Sequence, residues 1–190
     1  QLIEALAGTD AIDQAMAEAL YVGIMTDTGN FSFSNLTSDL FRTVAVLIDR
    51  GVNVPYVNSS VYDNFSEGRM RLLGYMLNDK MVTDYRYGVA YVSLTEEEMR
   101  RFNFIQGDSE GFVNYPLSIR GIRMSAMFIQ TKHSIRVSLR SRGSDVDVNV
   151  FARRYFDGGG HRNAAGGKSY VSMDETLKNF HTYLKEYFGA

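Results

Sequence analysis

The chain has 190 residues, 45% of them hydrophobic and 22% charged, with a formal net charge of −2. These values are ordinary for a soluble globular protein with room for one core or two small ones. Cysteine is absent, which excludes disulfides and thiolate metal sites, and no apolar run approaches the length of a transmembrane helix. Nothing resembles a signal peptide, so a reducing cytoplasm is the expected setting. The chain opens on Gln1 rather than Met, as expected if N-terminal sequence is missing.

In chain order, Asp10 is placed to cap a helix reaching about residue 24, with Ala15, Met16, Ala19, Leu20 and Gly23 on one small, apolar face. A loop rich in Thr, Asn, Ser and Gly follows, MTDTGNFSFSNLTS. Thr37 or Ser38 then caps a second helix over 39–50, where Leu40, Val44, Leu47 and Ile48 recur at helical spacing and Gly51 stops it. A third helical stretch covers about 57–65. Residues 67–79 read as one more helix, expected to connect two domains.

From Lys80 the period changes. KMVTDYRYGVAYVSL alternates around Arg86–Gly88 as a hairpin would. TEEEMRRF carries a capping box, Thr95 with Glu98, that opens a short helix. IRMSAMFIQ and SIRVSLRS read as strands. The second turns Ile135, Val137 and Leu139 toward the core and Arg136, Ser138 and Arg140 to the opposite face. DVNVFARRYF reads as a helix with Val148, Phe151, Ala152 and Tyr155 inward, YVSM as a last strand, and 173–188 as a last amphipathic helix. The fold class is α/β: a helical N-terminal part, then a mixed α/β block.

Charge and glycine converge in that block. Between Pro116 and Tyr170 lie ten of the chain's 20 Lys and Arg residues against three acids, a net of +7. The same stretch holds DGGGHRNAAGG, Asp157 to Gly167, with five glycines. Glycines let backbone N–H groups approach an anion, and a helix expected to start just after them would offer its positive end. His161, Arg162 and Asn163 would sit on that first turn. Arg140 and Ser141 end a nearby strand with a guanidinium and a hydroxyl, groups suited to phosphate oxygens. An anionic partner follows from the combination.

These residues carry a resemblance. VSLRS…DVNVFARRYFDGGGHRNAAGG is similar to the C-terminal substrate-binding domain of DHH/DHHA1-family phosphoesterases. GIMTDTGNFSFSN resembles the last motif of their catalytic DHH domain, in which an Asp coordinates manganese. With EGFVNYPLSIRG between them, the spacing is most similar to the branch of nanoRNases, 3′-phosphoadenosine 5′-phosphate phosphatases and exopolyphosphatase-related proteins. The resemblance implies the C-terminal part of a DHH domain over 1–66, a connector helix over 67–79 and a mixed-sheet DHHA1 domain over 80–190. It implies that Asp27 is a catalytic metal ligand and that two manganese ions act in the complete enzyme. It also implies that Gly158, Gly159, Gly160, His161, Arg140 and Ser141 hold phosphate, that Arg162 and Asn163 flank it, and that Asn114 helps close the pocket. The family's earlier metal motifs do not occur in this chain. Asp27 alone cannot hold two metal ions, which sit about 3.5–4 Å apart on several shared ligands, so the chain by itself is expected to be inactive.

The resemblance implies hydrolysis of short oligoribonucleotides or of a nucleoside 3′,5′-bisphosphate, with short single-stranded RNA or the bisphosphate as partner, no membrane, and room for a homodimer. An exopolyphosphatase, or a nucleic-acid-binding module without catalysis, are the alternatives. Other residues have plainer readings: His133 as a solvated turn, His181 as surface on the last helix, the methionines as core filling, and Tyr85, Tyr87 and Tyr91 as a packed face of the hairpin.

Overall fold

A computed structural model describes residues 5, 8–32 and 36–189. They form two compact units that divide between Asn64 and Phe65. In the first, the Asp13 carboxylate accepts the Met16 N–H at 2.8 Å and starts α1, Gln14–Asp27. Asp10, expected as the cap, lies in a 3-10 turn, Thr9–Ala11, where its carboxylate meets Arg50. The later start goes with a different buried stripe. Ala17, Tyr21 and Met25, four apart, face inward, while Met16 and Leu20 are exposed. Thr37 caps α2, Ser38–Asp49, which buries Val44 and Leu47 and leaves Ile48 exposed. α3, Val54–Tyr62, begins earlier than expected because Asn53 caps it and Pro55 occupies its first turn, where a missing N–H costs nothing.

The second unit starts with α4, Glu67–Tyr75, capped by Ser66 and continued by a π-helical turn, Met76–Lys80. This stretch, expected as a connector, is part of the unit itself, since Leu72, Leu73 and Met76 are buried in one of its cores. The strands are β1 (Val82–Asp84), β2 (Val89–Leu94), β3 (Met124–Gln130), β4 (Ile135–Ser141), β5 (Gly159–His161) and β6 (Ala164–Ser169). They form one sheet in the order β1-β2-β3-β4-β6-β5, with β2 and β3 parallel and every other pair antiparallel. The β2–β3 crossover contains α5, Glu96–Arg101, opened by the Thr95–Glu98 capping box, and a 3-10 helix, Phe112–Ser118.

The strand β4 shows how the two faces differ. Ile135, Val137 and Leu139 are buried, Arg136 is exposed, and Ser138 and Arg140 are half-buried, as the alternation predicts. The first face is closed by α6, Val148–Tyr155, and α7, Met173–Phe188. There Phe180 meets Phe128 and Phe151 edge-on, with ring centroids 5.0 and 6.0 Å apart. On the second face α4, Met99, Phe112 and Val113 cover Val92 and Leu94 of β2 and Met127 and Ile129 of β3. No residue of β4, β6 or β5 belongs to that apolar cluster.

The last strand is not YVSM. Ala164–Ser169 forms it, and Ser172 caps α7. A run of Ala and Gly has little strand preference of its own, and pairing with β4 and β5 overrides that. Among the described residues no helix is long and apolar enough to cross a membrane.

Candidate functional site

The glycine-rich stretch opens no helix. Gly159, Gly160 and His161 pair with Gly166, Ala165 and Ala164, so Arg162 and Asn163 form the tip of a hairpin rather than a first helical turn. Asp157 leaves α6 in the left-handed region, φ 47°, a conformation Asp tolerates better than most residues.

The three consecutive glycines differ in their reasons. A Cβ on Gly158 would stand 2.0 Å from the Gly166 carbonyl oxygen, and one on Gly160 would stand 2.5 Å from that of Ala164. Both positions exist as glycine so that backbone can approach backbone. Their N–H groups are also taken: Gly158 donates to the Ala152 carbonyl at 3.3 Å and Gly160 to Asn149 Oδ1 at 3.0 Å. The expectation that these two amides point at a phosphate is therefore corrected. Gly159 is different. A Cβ there would meet nothing nearer than 3.6 Å, so no contact inside the chain requires glycine.

Three more of the expected site residues serve the scaffold. The buried Ser141 hydroxyl donates to the Val146 carbonyl at 2.8 Å and accepts the Asn163 amide at 3.0 Å. Asn163 also donates to the Gly143 carbonyl at 2.9 Å. Arg162 donates to the Ser144 carbonyl, and its own carbonyl accepts the Val148 N–H at 2.9 Å. Together they fasten the hairpin tip to the loop between β4 and α6. The Ser141 hydroxyl and the Asn163 amide are thus engaged, not open to a ligand as expected.

The open chemistry lies on the second face of the sheet. Register runs straight across β3, β4, β6 and β5 through Ser125, Arg140, Ala164 and His161. Residues paired this way share a face, so Arg140 and His161 stand about two strand spacings, ~10 Å, apart on one side. The next row is Met127, Ser138, Gly166 and Gly159, and the one after it Ile129, Arg136 and Lys168. Over β4, β6 and β5 the middle row is a floor of one serine and two glycines, bordered by cationic rows. Among the described residues none of Arg140, His161, Arg136 or Lys168 forms a salt bridge with a carboxylate. Arg140 uses one N–H on the Leu139 carbonyl, at 2.9 Å, and has other donors to offer. Burial holds its guanidinium pKa below the usual arginine value. Beside it Ser125 is fully buried, and its hydroxyl has no partner.

Asn114 is exposed on the 3-10 helix, which packs against β3 and β4 and so borders this face. Asp27 ends α1 in the first unit and is exposed; residues 33–35 of the motif that follows it lie outside the described residues. Among the described residues no three of His, Cys, Asp and Glu come together as a metal-holding group. The residues present therefore do not fit a two-metal centre. His133 is an exposed bend. His181, expected at the surface, is half-buried, its Nε2 2.9 Å from the Tyr91 hydroxyl on the closed face. Tyr87 and Tyr91 are buried, and Tyr85 is exposed. Neither Arg136 nor Lys168 stands among the expected site residues, since the pairing that sets them opposite each other is not written in local spacing.

Residues 84–190 match the DHHA1 domain family. The bifunctional oligoribonuclease and PAP phosphatase NrnA of Bacillus subtilis is 29% identical over 176 residues, 90% of this chain and 53% of that protein. Its counterpart of the same name in Thermus thermophilus is 29% identical over 151 residues, 80% of this chain and 44% of that protein. The chain spans about half the length of the curated relatives it matches. Among solved structures, an exopolyphosphatase-related protein from Bacteroides fragilis superposes with a TM-score of 0.93 at 39% identity, covering 98% of this chain and 54% of that one.

Proposed function

Because the chain belongs to the DHHA1 domain family, we propose that it is the substrate-holding half of a phosphoesterase that cleaves short oligoribonucleotides, a nucleoside 3′,5′-bisphosphate, or both. The observation that carries this reading is the open half of the sheet, where Arg140 and His161 stand in one row, free of carboxylates among the described residues, beside a glycine floor. Such a face accepts phosphate oxygens by charge-assisted hydrogen bonds and lets sugar or base lie close to the backbone. The names of the Bacillus subtilis and Thermus thermophilus relatives supply the substrate class. Manganese is part of the proposal: in a complete enzyme Asp27 would supply one carboxylate among several metal ligands. The share of the Arg140 and His161 row is positioning, which lowers the barrier by holding the scissile phosphate in place.

The likeness to an exopolyphosphatase-related structure favours a second reading, an inorganic polyphosphate on the same face. Competition separates the two. A dinucleotide should displace a labelled bisphosphate at lower concentration than tripolyphosphate does, and the reverse order favours polyphosphate. Arg140→Ala should weaken nucleotide binding by about 1.5–3 kcal/mol, the range for a charge-assisted contact, with an unchanged melting temperature. Unaltered affinity would remove Arg140 from the site and with it the main support for this reading.

A further inference from the structure

We propose that Arg136 and Lys168 form a second phosphate subsite on the open face, so that the ligand it favours is a nucleotide chain rather than a single bisphosphate. The inference rests on the phosphate-binding reading of the Arg140 and His161 row and deepens it. Arg136 and Lys168 lie directly opposite each other on antiparallel strands. Like charges so placed repel, and a sheet normally avoids them. Here neither side chain is relieved by a carboxylate among the described residues. An anion between them would turn the repulsion into a clamp. Arg136 is also held in position: its Nη2 donates to the hydroxyl of the buried Ser109 at 2.9 Å. A guanidinium fixed by one hydrogen bond and otherwise open loses little freedom when it binds phosphate.

The spacing selects the ligand. Arg136 and Arg140 are four residues apart on β4, about 13 Å at the usual rise of a strand. That exceeds the reach between the two phosphates of one nucleoside bisphosphate and suits the first and last phosphates of a short chain. Between the rows lie Ser138, Gly166 and Gly159. A Cβ on Gly166 would stand 3.2 Å from the Val137 carbonyl oxygen, a tight approach, while one on Gly159 would meet only the Arg153 and Asn149 side chains of α6, at 3.6 Å. A floor whose tallest group over β4 and β6 is a serine hydroxyl suits a ligand lying flat along those strands.

The test compares two probes on the protein, a 5′-phosphorylated triadenylate and adenosine 3′,5′-bisphosphate, by titration at several salt concentrations. Lys168→Gln should weaken the trinucleotide about tenfold and make its salt dependence shallower by about one counterion, as loss of one phosphate contact does. Arg136→Gln should do the same. Affinity for the bisphosphate should stay within about twofold, since only the Arg140 row touches it. Equal weakening of both probes would reduce the pair to general electrostatics and overturn the subsite. So would a trinucleotide affinity unmoved by Lys168→Gln while the wild-type protein binds both probes. A wild-type protein that binds neither probe overturns the phosphate-binding reading itself, and the subsite with it.

Discussion

The two faces of the six-stranded sheet are made from the same strands and finished in opposite ways. On one, Val137 and Leu139 of β4 meet Phe128, Phe151 and Phe180 under two helices, and the layer is sealed from water. On the other, one residue further along the same strand, Arg136, Ser138 and Arg140 join no apolar cluster. Large side chains and aromatic contacts pin the strands from behind, so the uncovered half can spend its positions on glycine and cations that add nothing to burial. Stability and ligand binding should therefore separate by face, and substitutions can test how cleanly.

The largest effect belongs to the sealed face. Phe180 is fully buried and packs against the rings of Tyr91, Phe128, Phe151 and Phe156. Phe180→Ala should cost about 3–5 kcal/mol of unfolding free energy, read as a shift in the urea midpoint. Nucleotide affinity per folded molecule should not change, and a large loss of it would show that the two faces are coupled.

Next comes the covered part of the second face, which acid should loosen. Burial opposes ionisation of Glu98, but hydrogen bonds from Lys80, the Thr95 N–H and the Tyr75 and Thr95 hydroxyls outweigh it and hold the carboxyl at about 2. Its folded value lies below the ordinary one of 4.5, so the stability it contributes is complete above pH 4.5 and fades as pH falls toward 2. The contribution is about 3 kcal/mol. Asp84 acts in the same direction, held below its usual value by hydrogen bonds from the Arg86 guanidinium. Denaturation of wild type and Glu98→Gln between pH 2 and 6 should give curves that converge at low pH. Parallel curves would show that Glu98 is not held down in the fold.

The smallest effects, and the sharpest contrast, come from adjacent glycines. Gly158→Ala places a methyl against the Gly166 carbonyl and should lower stability by about 2 kcal/mol. Gly159→Ala should leave stability within about 0.5 kcal/mol, because its added methyl meets only the Arg153 and Asn149 side chains of α6, at 3.6 Å. If Gly159→Ala melted as early as Gly158→Ala, the contrast between the two glycines would fail.

Much of this arrangement is readable from the residues alone. The alternation in SIRVSLRS assigns both faces of β4, and the Thr95 and Glu98 pair marks α5 by its own chemistry. What is not readable depends on distant partners. Asp10 and Asp13 are equally competent caps, and the choice between them is made as Arg50, forty residues away, takes up Asp10. AAGGKS has no strand signal until β4 lies beside it, so the glycine stretch reads as a loop before a helix instead of a hairpin. For the same reason the expected site residues differ in what they do in the fold. Ser141 and Asn163 have the right chemistry for phosphate, but only the folded chain shows that their polar atoms already serve each other.

The tip of that hairpin has a consequence for insertions. Arg162 and Asn163 alone separate His161 from its partner Ala164, and in a hairpin the length of the tip sets which residues stand opposite. One residue added there, with the pairing of β6 retained, would slide β5 by a single position and send the imidazole to the side of α6. The asparagine would then leave the carbonyls that hold it. A two-residue count at this turn is thus a parity condition: with that pairing kept, the histidine stays on the face of Arg140 when the tip keeps its present length or changes by two residues at a time.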